Sequence, residues 1–172
     1  AIAEATLKLT PIPRCKVLLV IHYDCFDRAL RDSQSLLAFA PAAIETIDET
    51  ILALAQQDEI YAYVKDFVGQ AQAINLVEFV AEDWAQLQAM VEPLQQQLAS
   101  DPEQLARGYY CARTTTEIEH LWELRKRGVG LLGNRPGPRK PIAFIEDTAV
   151  PPVNLVAYVQ ALKALLDRYG LD

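Results

Sequence analysis

The chain has 172 residues, of which 51% are hydrophobic and 23% are charged, and its net charge is −7. This composition is typical of a folded globular protein and excludes intrinsic disorder, and the length predicts one domain over residues 1–172. The acidic balance argues against nucleic acid or anionic membranes as partners, because proteins that bind them present a basic surface. No apolar stretch reaches the roughly 18 residues that a membrane-spanning helix requires, so no transmembrane segment is predicted.

The first half of the chain alternates predicted strands with predicted helices. Residues 16–23 are apolar and rich in β-branched side chains, which predicts a buried strand, and Asp24 is expected to cap the helix that follows. Residues 25–39 carry apolar side chains at helical spacing. Further along, the pattern predicts a second strand over 42–48, a short helix over 49–57 and a third strand over 73–81, whereas 58–72 fits a strand, a loop or an insertion equally well.

The second half continues this alternation with clearer helix signals. A helix is predicted over 84–100, capped by Asp83 and kinked at Pro93, which lacks an amide hydrogen and clashes with the preceding turn. Thr114 and Glu117 have the spacing of a capping box and predict a helix over 115–127. The other predicted elements are a strand over 107–113, a loop over 128–140, a strand over 141–150 and a helix that begins at 151–152 and stops at Gly170.

The order of these elements predicts an α+β fold. Its two β-α-β units favour a ferredoxin-like antiparallel sheet with helices on one face, extended by extra elements. A doubly wound parallel sheet is the alternative.

Cysteine, histidine and glycine patterns predict no metal site, disulfide or dinucleotide site. The three cysteines lack C-x-x-C spacing, which predicts free thiols in a reducing cytoplasm. His22 and His120 lie on separate predicted elements without metal-ligand spacing. The string Gly128-x-Gly130-x-x-Gly133 matches the dinucleotide fingerprint, but that fingerprint binds pyrophosphate only where a strand turns into a helix. Here the glycines follow a predicted helix.

A basic island is the most informative charge pattern. Residues 125–140 contain no acidic residue but hold six cations, namely Arg125, Lys126, Arg127, Arg135, Arg139 and Lys140. On a strongly acidic background, such an island can hold a carboxylate or phosphate. The alternative is a helix C-terminus, which favours cations, followed by a solvated loop.

Several stretches, taken together, carry a family resemblance. They are residues 4–13 (EATLKLTPIP), 43–48 (AIETID), 121–125 (LWELR) and 145–151 (IEDTAVP), the last followed by a helix. In combination they resemble the C-terminal domain of FAD-linked oxidases of the D-lactate, glycolate and D-2-hydroxyglutarate dehydrogenase type. The IEDTAVP form is most similar to the large bacterial members, which also carry iron–sulfur domains, so the resemblance implies an iron–sulfur cluster in a longer parent protein.

The resemblance implies an FAD-dependent oxidoreductase that oxidises a small D-2-hydroxy acid by hydride transfer to flavin. A separate domain would bind most of the FAD, while this domain would cover the flavin ring and shape the substrate pocket. The family's segment of catalytic and metal-binding histidines has no match here, so the chain is expected to be an excised piece that is inactive alone. An apolar sheet face exposed by excision would favour a homodimer.

The resemblance also implies substrate-binding residues. The arginine of the family's W-x-L-R motif binds the substrate carboxylate and falls on Arg125, which agrees with the basic island. Trp122 and Asp147 lie in the same motifs and are the other substrate-binding candidates, whereas the resemblance assigns no catalytic or FAD-contacting residue in this chain. The other function hypothesis is a ferredoxin-like regulatory or dimerisation module that binds an anionic metabolite.

Overall fold

Four strands form one antiparallel sheet in the computed structural model, which describes residues 4–9, 11–100, 105–133 and 148–171. The strands are β1 (Cys15–Tyr23), β2 (Ala43–Ile47), β3 (Ala73–Ala81) and β4 (Gly108–Ala112). Their order is β2-β3-β1-β4, and every neighbouring pair is antiparallel. This order confirms the ferredoxin-like α+β prediction and excludes the doubly wound parallel sheet.

Six α-helices connect and cover these strands in the described ranges. They are α1 (Phe26–Leu36), α2 (Glu49–Ala55), α3 (Tyr61–Val68), α4 (Trp84–Ser100), α5 (Thr115–Gly133) and α6 (Pro152–Arg168), and a 3₁₀ turn (Leu37–Phe39) extends α1. The ambiguous segment 58–72 contains α3. Residues 148–150 have no regular structure, and the rest of the predicted fifth strand lies outside the described residues.

The helices lie on both faces of the sheet, not on one as predicted. Side chains of β1 alternate between the faces, so Val17, Leu19 and Ile21 pack with α1 and α4. Leu18 and Val20 point the other way and pack with α2, α3 and α5. These three helices cover the face that a minimal ferredoxin-like domain leaves open, so the described sheet does not support the exposed apolar face that favoured a homodimer.

The start of α1 differs from the prediction. Cys25, not Asp24, is the N-cap residue, and it makes no side-chain capping bond. The carboxylate of Asp24 instead accepts a hydrogen bond from Arg107 Nη2 at 2.7 Å, a bond that also lowers the pKa of Asp24. A guanidinium donor makes a stronger bond to a carboxylate than a backbone amide does, so the long-range partner takes precedence over the local cap.

Helix α5 runs six residues past its predicted end at Arg127, and the loop predicted over 128–133 is therefore wrong. Its buried residues Ile118, Leu121 and Leu124 pack against the sheet and anchor the helix. Gly128 lies within this helix against the side chain of Ile51 in α2, where an added Cβ would be 3.5 Å from that side chain. A glycine weakens a helix interior by only about 1 kcal/mol relative to alanine, which tertiary packing overcomes. The predicted loop beyond residue 133 lies outside the described residues.

The other local predictions agree well with the structure. Asp83 Oδ1 accepts the amide of Gln86 at 2.8 Å and caps α4, as predicted. Helix α4 continues through Pro93 to Ser100, and the kink there stays a prediction. The three cysteines are free, and none of the helices in the described part is long and apolar enough to cross a bilayer.

The predicted capping box at the start of α5 is confirmed. Glu117 Oε2 accepts the amide of Thr114 at 2.9 Å, and the Glu117 amide donates to Thr114 Oγ1 at 3.3 Å. The hydroxyl of Tyr110 donates to Glu117 Oε1 at 2.7 Å. These bonds, led by that from the Thr114 amide, lower the pKa of Glu117 to about 2.

The low pKa of Glu117 predicts a specific loss of stability in acid. Because the folded-state pKa of about 2 lies below the ordinary value of 4.5, this carboxylate stabilises the fold above pH 4.5. That contribution is lost as the pH falls toward 2. In urea unfolding at several pH values, the free energy of unfolding should therefore fall more steeply with decreasing pH in the wild type than in Glu117→Gln. The glutamine keeps the capping bonds but does not titrate. Equal slopes would contradict the prediction.

Candidate functional site

The motif residues of α5 are held by two carboxylates of the sheet. Arg125 Nε donates to Glu45 Oε2 of β2 at 3.2 Å, and Trp122 Nε1 donates to Glu78 Oε1 of β3 at 3.2 Å. Glu45 lies opposite Leu76 on β3, two residues before Glu78, so the two glutamates occupy the same face of the sheet. Trp122 and Arg125 therefore attach successive turns of α5 to neighbouring strands.

Arg125 keeps part of its guanidinium open. Its side chain is 46% exposed, and Glu45, its partner, is 36% exposed. Within the described ranges, only its Nε makes a hydrogen bond, which leaves Nη1 and Nη2 without a protein acceptor there. Two such parallel N–H donors match the two oxygens of a carboxylate.

A hollow of about 340 Å³ lies beside Arg125. It is lined by four polar side chains, Glu45, Thr46, Asp48 and Arg125, and by four apolar ones, Phe26, Ile47, Ile51 and Leu132. Arg125 is the only cation among the described residues that line it, and the two carboxylates already accept from Arg125 Nε and the Ile51 amide. One guanidinium with apolar neighbours suits a small organic acid, because the cation binds the carboxylate and the apolar side chains contact the carbon chain.

Trp122 lines a different and larger groove of about 730 Å³. Trp84 and the cations Arg14, Lys16, Arg113 and Lys126 also line that groove. The indole N–H of Trp122 is already used by Glu78, whose carboxylate also lies 3.9 Å from Lys16 Nζ. The structure thus places Trp122 and Arg125 on one helix but beside separate hollows.

The rest of the basic island divides into structural and exposed cations. Arg127 pairs with Glu123 at 3.0 Å, Asp58 at 2.9 Å and Glu59 at 3.0 Å, and these carboxylates raise its pKa. It therefore ties α5 to the turn between α2 and α3. Lys126 is exposed and makes no ion pair within the described part of the chain. The other cations of the island lie outside the described residues, namely Arg135, Arg139 and Lys140. Asp147 lies outside them too.

The remaining titratable candidates have structural partners. Asp48 Oδ1 accepts the amide of Ile51 at 2.9 Å and caps α2. His22 Nε2 lies 2.7 Å from the carbonyl oxygen of Phe67, and burial lowers the pKa of this histidine. Among the described residues, no group of three or more histidine, cysteine, aspartate or glutamate side chains could hold a metal ion.

The glycine string does not fit the phosphates of FAD. Gly128, Gly130 and Gly133, the string that matches the dinucleotide fingerprint, lie inside α5. Amides in the interior of a helix already donate to carbonyls four residues earlier, so they cannot cradle a pyrophosphate. The described part of the chain therefore offers no phosphate site of that kind.

Sequence comparisons identify the family of the chain. The family of FAD linked oxidases, C-terminal domain, matches residues 12–172. A D-2-hydroxyglutarate dehydrogenase of Pseudomonas putida is 39% identical over 99% of this chain and 17% of its own length, and one of Escherichia coli is 34% identical over 99% and 18%. A glycolate oxidase subunit of Bacillus subtilis is 25% identical over 99% of this chain and 34% of its own length.

The chain thus spans about a sixth of the length of the curated dehydrogenases that it matches. The matched region includes both the strand that carries Glu45 and the helix that carries Arg125. The ferredoxin-like sheet agrees with the fold that the motifs implied. The chain belongs to the family of FAD linked oxidases, C-terminal domain.

Proposed function

We propose that this domain is part of an FAD-dependent dehydrogenase that oxidises a small D-2-hydroxy acid by hydride transfer to flavin, and that Arg125 binds the carboxylate of that acid. The observation that carries the proposal is the fork of Arg125, which has no acceptor among the described residues and lies beside a hollow that apolar side chains help to line. The names of the relatives favour the same substrate class. Family membership favours this function over a regulatory module, whose only support is the fold.

The division of labour follows from what the described residues can hold. They include an arginine beside a hollow of about 340 Å³, whereas their glycine string lies inside α5 and cannot cradle a phosphate. Most of the FAD would therefore be bound by a separate domain of a longer protein, and the isolated chain would have no turnover. An iron–sulfur cluster in that protein and a location in the cytoplasm stay predictions.

Trp122 and Asp147 have different support as substrate-binding residues. Trp122 acts in this proposal through α5, because its bond to Glu78 fixes the helix one turn before Arg125. Asp147 lies outside the described residues, so its part in substrate binding is proposed from the family resemblance alone.

Anaerobic reduction of the flavin tests the proposed function. In the flavin-loaded enzyme that contains this domain, D-lactate, glycolate or D-2-hydroxyglutarate is expected to bleach the oxidised-flavin absorption band. L-Lactate and L-2-hydroxyglutarate serve as matched controls and should leave the band unchanged. Bleaching by no hydroxy acid would contradict the proposed substrate class, and turnover by the isolated chain would contradict the division between two domains.

A further inference from the structure

We infer that Glu45 is a positioning residue that orients the guanidinium of Arg125 toward the substrate carboxylate. The inference rests on the proposed function, since it assumes that Arg125 binds the substrate. Glu45 belongs to the AIETID segment, whose second carboxylate, Asp48, already has a role as the cap of α2. The ion pair with Arg125 gives Glu45, the first carboxylate of that segment, a role as well.

The backbone that carries Glu45 is a firm support. Glu45 lies within β2, which pairs along its length with β3, and Ile47 on the same face is 4% exposed. Ile47 belongs to the same buried cluster as Leu121 and Leu124 of α5. The strand and the helix thus contribute to one buried cluster, in which Ile47 lies two residues from Glu45 and Leu124 is next to Arg125 in the chain.

The atom through which Glu45 binds Arg125 decides what the bond does. A carboxylate that engaged the two terminal nitrogens would occupy the fork and compete with the substrate. The bond instead joins Glu45 Oε2 to Nε at 3.2 Å, and no described residue accepts from the terminal nitrogens. A bond at Nε restricts rotation of the planar guanidinium while its outer edge stays available for a second carboxylate.

This contact matters for the orientation of the Arg125 guanidinium and not for the stability of the fold. Both side chains are partly exposed, at 46% and 36%, and exposed ion pairs add little to stability. A free arginine side chain, however, loses much rotamer freedom when it binds a ligand. Glu45 removes part of that freedom before the substrate arrives, so its loss should weaken substrate binding more than it weakens the fold.

Steady-state kinetics of the flavin-loaded enzyme test the inference. Glu45→Ala should raise the KM for the hydroxy acid by about 3- to 5-fold, the size of effect that a partly exposed ion pair can pass on to substrate binding, with a smaller change in kcat. Glu45→Gln keeps an oxygen acceptor for Nε and should restore KM to within about 2-fold of the wild type, as a conserved hydrogen bond implies. The matched control is Glu59→Ala, which should leave KM unchanged. It removes an exposed partner of Arg127, which lies on α5 two residues after Arg125.

A double-mutant cycle separates this inference from the proposed function. If Glu45 acts through Arg125, Glu45→Ala should have no further effect on KM in an Arg125→Ala background. Provided that Arg125→Ala itself raises KM, two results would overturn the inference. One is a KM of Glu45→Ala that is lower than or equal to that of the wild type. The other is an equal rise of KM in Glu45→Ala and Glu45→Gln. An Arg125→Ala enzyme with wild-type KM would instead overturn the carboxylate site in the proposed function.

Discussion

Arg125→Ala is expected to raise the KM for the D-2-hydroxy acid by about 10- to 100-fold, because two charge-assisted hydrogen bonds to the substrate carboxylate are lost. The effect on kcat should be smaller. The carboxylate is not the reacting group, so Arg125 binds it about equally in the ground state and in the transition state. Steady-state kinetics with an artificial electron acceptor measure both constants.

Two further variants show whether the fork or only the charge of Arg125 matters. Arg125→Lys keeps the charge but has no planar fork, so its KM should lie between those of the wild type and Arg125→Ala. Lys126→Ala removes the adjacent cation, which lines the other groove, and should change KM by less than about 2-fold, as expected for a solvated charge. Equal effects of Arg125→Ala and Lys126→Ala would mean that the net charge of α5, not a specific contact, attracts the substrate.

The sequence predicts best those strands whose own residue pattern already indicates that they are buried. β3 has the predicted bounds, because a nine-residue strand whose apolar side chains are buried on both faces is distinctive, even with Asn75 and Glu78 in it. α3 was ambiguous, since its buried residues Val64 and Val68 become core only when they contact α5 and the sheet. The extension of α5 was missed for a related reason, because glycine spacing indicates a loop whereas tertiary packing favours the helix.

The candidate site was only half predictable. Arg125 is identifiable from the basic island and from the W-x-L-R motif, both of which are local. Its partner Glu45 lies 80 residues away, a separation that no local pattern bridges. Only the antiparallel pairing of β2 with β3 and the passage of α5 over that face bring Glu45 to Arg125. The contact of Trp122 with Glu78, 44 residues away, has the same origin.

Asn75→Ala is expected to destabilise the fold by about 2–4 kcal/mol, because it removes the centre of a buried polar network. Asn75 on β3 is fully buried. Its Nδ2 donates to the hydroxyl of Tyr23 at 3.1 Å and to the carbonyl of Ala29 at 2.9 Å, and its Oδ1 accepts from Thr46 Oγ1 at 2.7 Å. The amide thus joins β1, β2 and α1 at one point beneath the helix.

The network continues to a buried carboxylate, which makes its disruption more severe. The Tyr23 hydroxyl donates to Asp32 Oδ2 at 2.6 Å, and Asp32 is only 6% exposed. An alanine at position 75 leaves the Ala29 carbonyl and the Thr46 hydroxyl without their present partner, and it removes one of the bonds that hold the Tyr23 ring in place. Tyr23 and Ala29 are fully buried, and the loss of a partner there is costly because the interior has a low dielectric constant.

Thermal and urea unfolding measure the effect of this change. For a chain of this length, about 2–4 kcal/mol corresponds to a fall in Tm of roughly 5–15 °C. Thr46→Val is the matched control, because it removes only the partly exposed end of the network with little change in shape, and it should destabilise by about 0.5–1.5 kcal/mol. If Asn75→Ala were no worse than Thr46→Val, water would have to enter and replace the amide, and the network would not be the element that fixes α1 to the sheet.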